Sequence, residues 1–310
     1  MVSRQGLAWL EALRLSELPW LVHAFSTRKG GTSHPPCAGL NLGFRESDRR
    51  ERVEQNRRRF FQALGAEGFV HASAQQVHSS HSLLVTRGAN GQLAYQVPGA
   101  EPLETAPNTL PAADGLITAE PGVLLSVRIA DCLPVLLVDP QQRVVAAVHA
   151  GWRGALARVI EKAVGDMRRA VGSDPQHVIA ALGPSIRACC YEVGEDVVEA
   201  LHASFAGADD FFHPLAQRAE AATDRHTILF MRDYPPGHAP EHAPEARLDL
   251  TAVARHQLAS AGLKPANVLV ADYCTACRTD LFFSHRAEGG RTGRQVAAIG
   301  IRPLSLRPKG

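Results

Sequence analysis

At 310 residues the chain is long enough for one large domain or two small ones. Hydrophobic residues at 45% and charged residues at 21% are ordinary globular values, which excludes wholesale disorder and fibrous architectures. Lys and Arg number 33 against 31 Asp and Glu, and the resulting net charge of +2 is too small to point to a nucleic acid or an anionic membrane as partner.

Glu11 and Arg14 fall in a first helical-looking segment that lacks the apolar core of a secretory signal. Leu21 to Phe25 then reads as a strand that runs into the glycine-rich loop Ser26 to Ser33. Asp48 is placed to cap a helix through Leu64, with Gly65 as its stop. Gln75 to His78 and Ser82 to Thr86 read as short extended segments, and 88 to 111 as loop. Three continuously apolar runs follow: Val123 to Val127, Val135 to Val138, and Val144 to Val148, the last two joined by an Asp139-Pro140 turn. Such runs suit strands buried on both faces. Gly154 to Val171 carries apolar residues at helical spacing and is predicted as one helix. Val178 to Leu182 is a strand ended by Gly183-Pro184, and 194 to 205 is a helix. Residues 206 to 246, rich in Ala, His, Pro and Asp, read as a surface excursion with one apolar run, Thr227 to Phe230. A helix from Asp249 or Thr251 to Ala261 and strands at 267 to 270 and 295 to 301 complete the chain. The interleaving, without a clean linker, predicts a single α/β domain over 1–310.

The longest apolar stretch, Val123 to Val138, is broken by Arg128 and Asp131, and falls short of the roughly 20 residues a membrane span needs. The expected setting is cytoplasmic, where the 6 cysteines would be thiols or metal ligands rather than disulfides. Cys274-x-x-Cys277 without a second such pair is weak ground for a structural zinc. The glycine-rich phosphate cradles, the nucleophile elbow, the deaminase signature and H-E-x-x-H are all missing. No H-x-H pair occurs among the 14 histidines, which counts against a multicopper oxidase cluster.

His149 follows an apolar strand and precedes Ala150-Gly-Trp-Arg-Gly154, where glycines permit close approach and Arg153 offers a guanidinium fork. Spacing alone leaves a strand-capping histidine as the equal alternative. Asp131-Cys132 interrupts an apolar stretch, and a buried acid there needs a partner, a metal or a substrate proton. His78, Cys132 and His149 together could supply two imidazoles and a thiolate. Three protein ligands with an open fourth position is the catalytic pattern for zinc.

The motifs Thr27 to Ser33, Asn41 to Gly43, Gln76 to His78, Ala113 to Thr118, Ala130 to Pro134, His149 to Gly154, Gly183 to Ile186, Cys189 to Val193, Phe283 to Arg286 and Thr292 to Arg294 occur in that order. With them the chain resembles the YfiH/YlmD laccase-domain family, whose mammalian relative is FAMIN, over residues 20 to 301. His285 stands where tyrosine is common in that family. The resemblance implies one domain of mixed sheets layered with helices, related to the cytotoxic necrotising factor catalytic domain. It implies zinc held by His78, Cys132 and His149, with copper as the other metal attributed to the family. It further implies purine nucleosides and phosphate as partners: phosphorolysis of adenosine, inosine, guanosine or methylthioadenosine, and deamination of adenosine by an activated water. Asp131 is the expected proton shuttle, and Arg28, Arg153 and Arg286 are the expected phosphate or purine contacts. The competing readings are a Cys–His hydrolase acting on an amide or muropeptide in cell-wall-precursor editing, a copper-dependent polyphenol oxidase, and a zinc-stabilised binding protein.

Overall fold

The computed structural model describes residues 1–44, 47–88, 91–103, 109–215 and 245–303. The first elements are strands β1 (Val2–Arg4) and β2 (Leu7–Leu10), helix α1 (Leu13–Ser16), strand β3 (Leu21–Ser26) and helix α2 (Arg50–Ala63). Strands β4 (Val70–Ala72), β5 (Ser82–Arg87), β6 (Leu93–Gln96), β7 (Gly115–Thr118), β8 (Val123–Ile129), β9 (Leu133–Asp139) and β10 (Val144–Ala150) follow. Then come helices α3 (Trp152–Leu156) and α4 (Val159–Val171), β11 (Ile179–Leu182), β12 (Glu192–Val193), α5 (Glu195–Ser204) and β13 (Phe212–Pro214). The last described elements are β14 (Ala246–Leu248), α6 (Leu250–Ser260), β15 (Val268–Val270) and β16 (Gln295–Ile301).

The strands form a six-stranded sheet in the order β1-β2-β3-β16-β8-β4, a seven-stranded sheet in the order β15-β11-β9-β10-β7-β5-β6, and a small sheet β12-β14-β13. Both large sheets are mixed: most pairs are antiparallel, but β4–β8, β5–β7 and β11–β15 are parallel. The apolar runs of β8, β9 and β10 are explained by what covers each face. Along β10, Val145 and Ala147 pack between the sheets with Val127, Ala297 and Ile299 of the other sheet. Val144, Ala146 and Val148 point the other way, against Val159, Ile160 and Val164. Helix α2 covers the far side of the six-stranded sheet, with Phe60 and Phe61 against Val22, Ala24, Val296 and Ala298. The result is a helix–sheet–sheet–helix layering in which both faces of each central strand are dry.

Several sequence expectations are corrected. The N-terminal helical-looking segment is two strands and a four-residue helix. The cap expected of Asp48 is absent. Its carboxylate accepts from Ser33 Oγ at 2.6 Å and Asn41 Nδ2 at 2.7 Å, and α2 starts without a side-chain cap. The stretch taken as loop contains β6. The helix predicted over 154–171 is two helices, because Arg158 adopts φ 61° between them. The run Thr227 to Phe230 lies outside the described residues. Asp249 does cap α6, accepting from the Thr251 N–H at 2.8 Å. Among the described residues no helix is long and apolar enough to cross a membrane.

Candidate metal centre and cavity

Antiparallel pairing of β9 with β10 sets Leu133 beside Ala150 and Pro134 beside His149, so Cys132, just before β9, arrives next to His149 at the end of β10. The starts of β5 and β7 lie alongside: Ser82 pairs with Gly115, and Gly115 with Val148. The 78–81 loop that feeds β5 therefore reaches the same corner. Three residues remote in sequence meet because four strand ends meet. The His78 Nε2, Cys132 Sγ and His149 ring nitrogen lie within 4.8 Å of one another. Cys132 Sγ is 3.8 Å from His78 Nε2, and the two imidazole centroids are 4.9 Å apart.

Asp114, buried just before β7, organises this corner. Its Oδ1 is 2.8 Å from His149 Nδ1, which makes Nδ1 the protonated nitrogen and leaves Nε2 for the site. The N–H groups of Val77, His78 and Ser79 all point at the same carboxylate, at 3.2, 3.1 and 2.6 Å. His78 accepts φ 59° to make that convergence, which is why 75–78 is not the extended segment its composition suggests. Gly151 admits no side chain, since a Cβ there would stand 2.8 Å from His78 Cδ2 and 2.9 Å from Cys132 Sγ.

The charges follow. Burial pushes the Asp114 carboxyl up, but the hydrogen bonds from His149 and Ser79 outweigh it and hold it at about 2. Desolvation would raise the Cys132 thiol. The His149 charge and the hydrogen bonds from His149 and His78 instead bring it down to about 6. Burial would lower His149, but Cys132 and Asp114 raise it to about 9. Cys132 and His149 thus each favour the charged form of the other. The donor set also fits a cation: two imidazoles and a thiolate suit tetrahedral Zn²⁺, whose ligand atoms stand about 3.3–3.6 Å apart.

The three side chains open into a cavity of about 330 Å³, within the roughly 300–1,000 Å³ of ordinary small-molecule sites. Its other walls are Gly43, Phe44, Gln76, Arg128, Ile129, Ala130, His285 and Arg294. Arg128 is fixed by Gln76 Oε1, which accepts from its backbone N–H at 2.9 Å, and by the Ala74 carbonyl at 3.1 Å. Asp131 takes φ 89° beside Cys132. Its Oδ1 accepts from Thr275 Oγ1 at 2.6 Å and its Oδ2 from the Arg286 N–H at 2.7 Å. Arg153 lies over the Trp152 ring and Arg286 over the Tyr191 ring. Desolvation pushes the Tyr191 hydroxyl up, and the charges of Cys132, Arg286, Asp131 and Arg153 all act on it, so these four share one neighbourhood. Arg28 is elsewhere. Its guanidinium pairs with Glu288 at 2.9 Å, donates to the Ala38 and Thr279 carbonyls and covers Phe283. Sequence reasoning missed Asp114, Arg128 and Arg294 as site residues. All three lie in or beside the motifs, but nothing local to them marks a cavity wall.

The profile of a family described as multi-copper polyphenol oxidoreductase laccase matches residues 22–302. The chain is 34% identical over 281 residues to purine nucleoside phosphorylase YlmD of Geobacillus stearothermophilus, covering 91% of this chain and 90% of that one. It is 30% identical over 291 residues to adenosine deaminase RL5 of an unknown prokaryotic organism, covering 94% and 98%. Among solved structures, Bacillus licheniformis hypothetical protein YfiH superposes with a TM-score of 0.77 at 28% identity, covering 96% and 98%.

Proposed function

The chain belongs to the multi-copper polyphenol oxidoreductase laccase family, the family of the YfiH and YlmD proteins, and from that premise we propose that it is a zinc-dependent purine nucleoside enzyme. In this reading residues 1–310 act as one catalytic domain. It splits adenosine, inosine, guanosine or methylthioadenosine with phosphate into free base and ribose 1-phosphate, and deaminates adenosine. The observation that carries it is the convergence of His78, Cys132 and His149 on a small-molecule cavity. The support for the substrate class is that relatives matched over nearly the whole chain bear the names purine nucleoside phosphorylase and adenosine deaminase. None of the six cysteines forms a disulfide, which suits a reducing, cytoplasmic setting.

His78, Cys132 and His149 would hold the ion. When bound it supplies a Lewis acid that lowers the pKa of a water toward about 7. Asp114 holds His149 in the tautomer that presents Nε2. Phosphorolysis places phosphate against C1′ while positive charge grows on the sugar and negative charge on the departing purine. Arg128 and Arg294 are the guanidinium groups in the cavity wall suited to the phosphate. Phe44, 42% exposed in the cavity wall, adds an apolar contact for the base. His285, in the wall, can carry a proton to the departing purine. Arg153 and Arg286 stay as contacts on the Tyr191 side. Asp131 anchors the Cys132 turn, since both its oxygens accept internal hydrogen bonds.

The test is inosine or adenosine with phosphate, followed by chromatography of base and ribose 1-phosphate. Turnover is expected in the wild-type chain, with a loss of at least ~100-fold in Cys132→Ala; full turnover by that variant overturns the reading. A second reading is favoured by the adjacency of Cys132 to two imidazoles, with the His149 charge lowering its thiol: a Cys–His hydrolase with Cys132 as nucleophile. Metal content separates the two, because a metal-free active protein inactivated by iodoacetamide at Cys132 belongs to the hydrolase.

A further inference from the structure

A second group of sulfurs lies on the other side of the Asp131 turn. Cys189 and Cys190 sit in the turn after β11, and Cys274 and Cys277 in the irregular segment after β15. A parallel bridge between Ser185 and Cys274 brings the two segments together. All four Sγ atoms lie within 4.8 Å of one another. Cys277 Sγ is 3.5 Å from Cys189 Sγ and 3.3 Å from Cys190 Sγ. A disulfide would need about 2.05 Å. Four thiolates around one zinc, at about 2.3 Å each, stand about 3.8 Å apart. The quartet therefore has the size of a cage for one ion, too tight for a cluster of several irons.

Two further features point the same way. The backbone N–H groups of Ala276 and Cys277 are directed at Cys274 Sγ, as is that of Arg187. A C-x-x-C turn folded in this way presents both its sulfurs on one side. The Arg187 guanidinium, which donates to the Tyr273 carbonyl at 3.4 Å and faces Asp249 and Asp272, also lies near Cys274 and Cys189. Cys189 and Cys277 are exposed, so an ion can enter.

We propose that Cys189, Cys190, Cys274 and Cys277 bind one structural zinc ion, separate from the His78–Cys132–His149 corner. The ion pins the 274–277 turn to the 185–190 turn. Between the two C-x-x-C sulfurs lies Thr275, whose N–H donates to the Ser185 carbonyl at 3.0 Å and whose hydroxyl holds Asp131. The second ion thus acts on the Cys132 turn through Thr275 and Asp131. The site stands independently of the activity proposed above.

The experiment counts zinc by mass spectrometry in protein purified with a thiol reductant and desalted from excess zinc. Three chains are compared: wild type, Cys132→Ala, and Cys189→Ser/Cys277→Ser, which alters only exposed ligands. Two zinc ions, one and one are expected. Cobalt loaded into Cys132→Ala should give the strong visible bands of a tetrahedral tetrathiolate, absent from the double variant. One zinc in the wild type that survives Cys132→Ala and is lost from the double variant supports this site and removes the other. Zinc lost wholly with Cys132→Ala and kept in the double variant overturns it. So does a mass 2 Da below the reduced chain with no zinc in Cys132→Ala, the sign of a disulfide.

Discussion

Asp114 binds His149 through Oδ1 and gathers the 77–79 backbone with both oxygens, so neutralising it disturbs two of the three candidate ligands together. Asp114→Asn is expected to weaken zinc at the His78 corner by roughly 10–100-fold, read by competition with a chromophoric chelator. The same contacts set an acid dependence. The folded carboxyl, at about 2, lies below its ordinary 3.8, so its contribution is fully present above about pH 4 and fades as pH falls toward 2. In metal-stripped protein the stability gap between wild type and Asp114→Asn, roughly 2 kcal/mol near neutrality, should narrow toward pH 3 in urea titrations. A gap that stays constant would show that the Asp114 charge is not what stabilises the corner. The sequence discloses only half of this. His78, Cys132 and His149 are recognisable as ligand types, but the residue that aims them is a lone acid at the head of an apolar strand. Its partner, 35 residues away, appears only when the strand ends meet.

At the level of elements, long apolar runs were legible and interruptions were not. β8, β9, β10 and β16 follow the sequence expectation because both faces of each are covered by side chains of the other layers. The broken helix at Arg158 has its cause in another element. Gln257 of α6, wholly buried, accepts from the Ile160 N–H at 3.1 Å and donates to the Ala155 carbonyl at 2.7 Å, serving the two helix ends at the break. No periodicity within 154–171 could report a side chain from residue 257. Gln257→Leu leaves the Ile160 N–H without its partner, while the Ala155 carbonyl keeps the Arg158 N–H at 3.0 Å, and should cost roughly 1–3 kcal/mol in chemical denaturation. An unchanged midpoint would mean that the break is sustained without this contact. The short strands β1, β6 and β13 escaped for a related reason: three or four residues carry too little pattern to stand apart from loop.

For the molecule as a whole, the order β3-β16-β8 makes the last described strand the interior of a sheet whose other members come mostly from the first half of the chain. Seven residues of β16 pair with Leu21 to Phe25 on one side and Leu124 to Ile129 on the other. Burial of Val296, Ile299 and Ile301 alone is worth roughly 5–9 kcal/mol, comparable with the about 5–15 kcal/mol that holds a typical domain together. A chain ending at Arg294 should therefore be recovered only as aggregate or as soluble protein without cooperative unfolding; a cooperatively melting product would contradict the topology. The six-stranded sheet cannot close during synthesis until residue 301 has cleared the ribosome. Until then β3 and β8 wait as two unzipped edges, and the cell must shield the nascent polypeptide from its neighbours while the more than 160 residues between β8 and β16 are made.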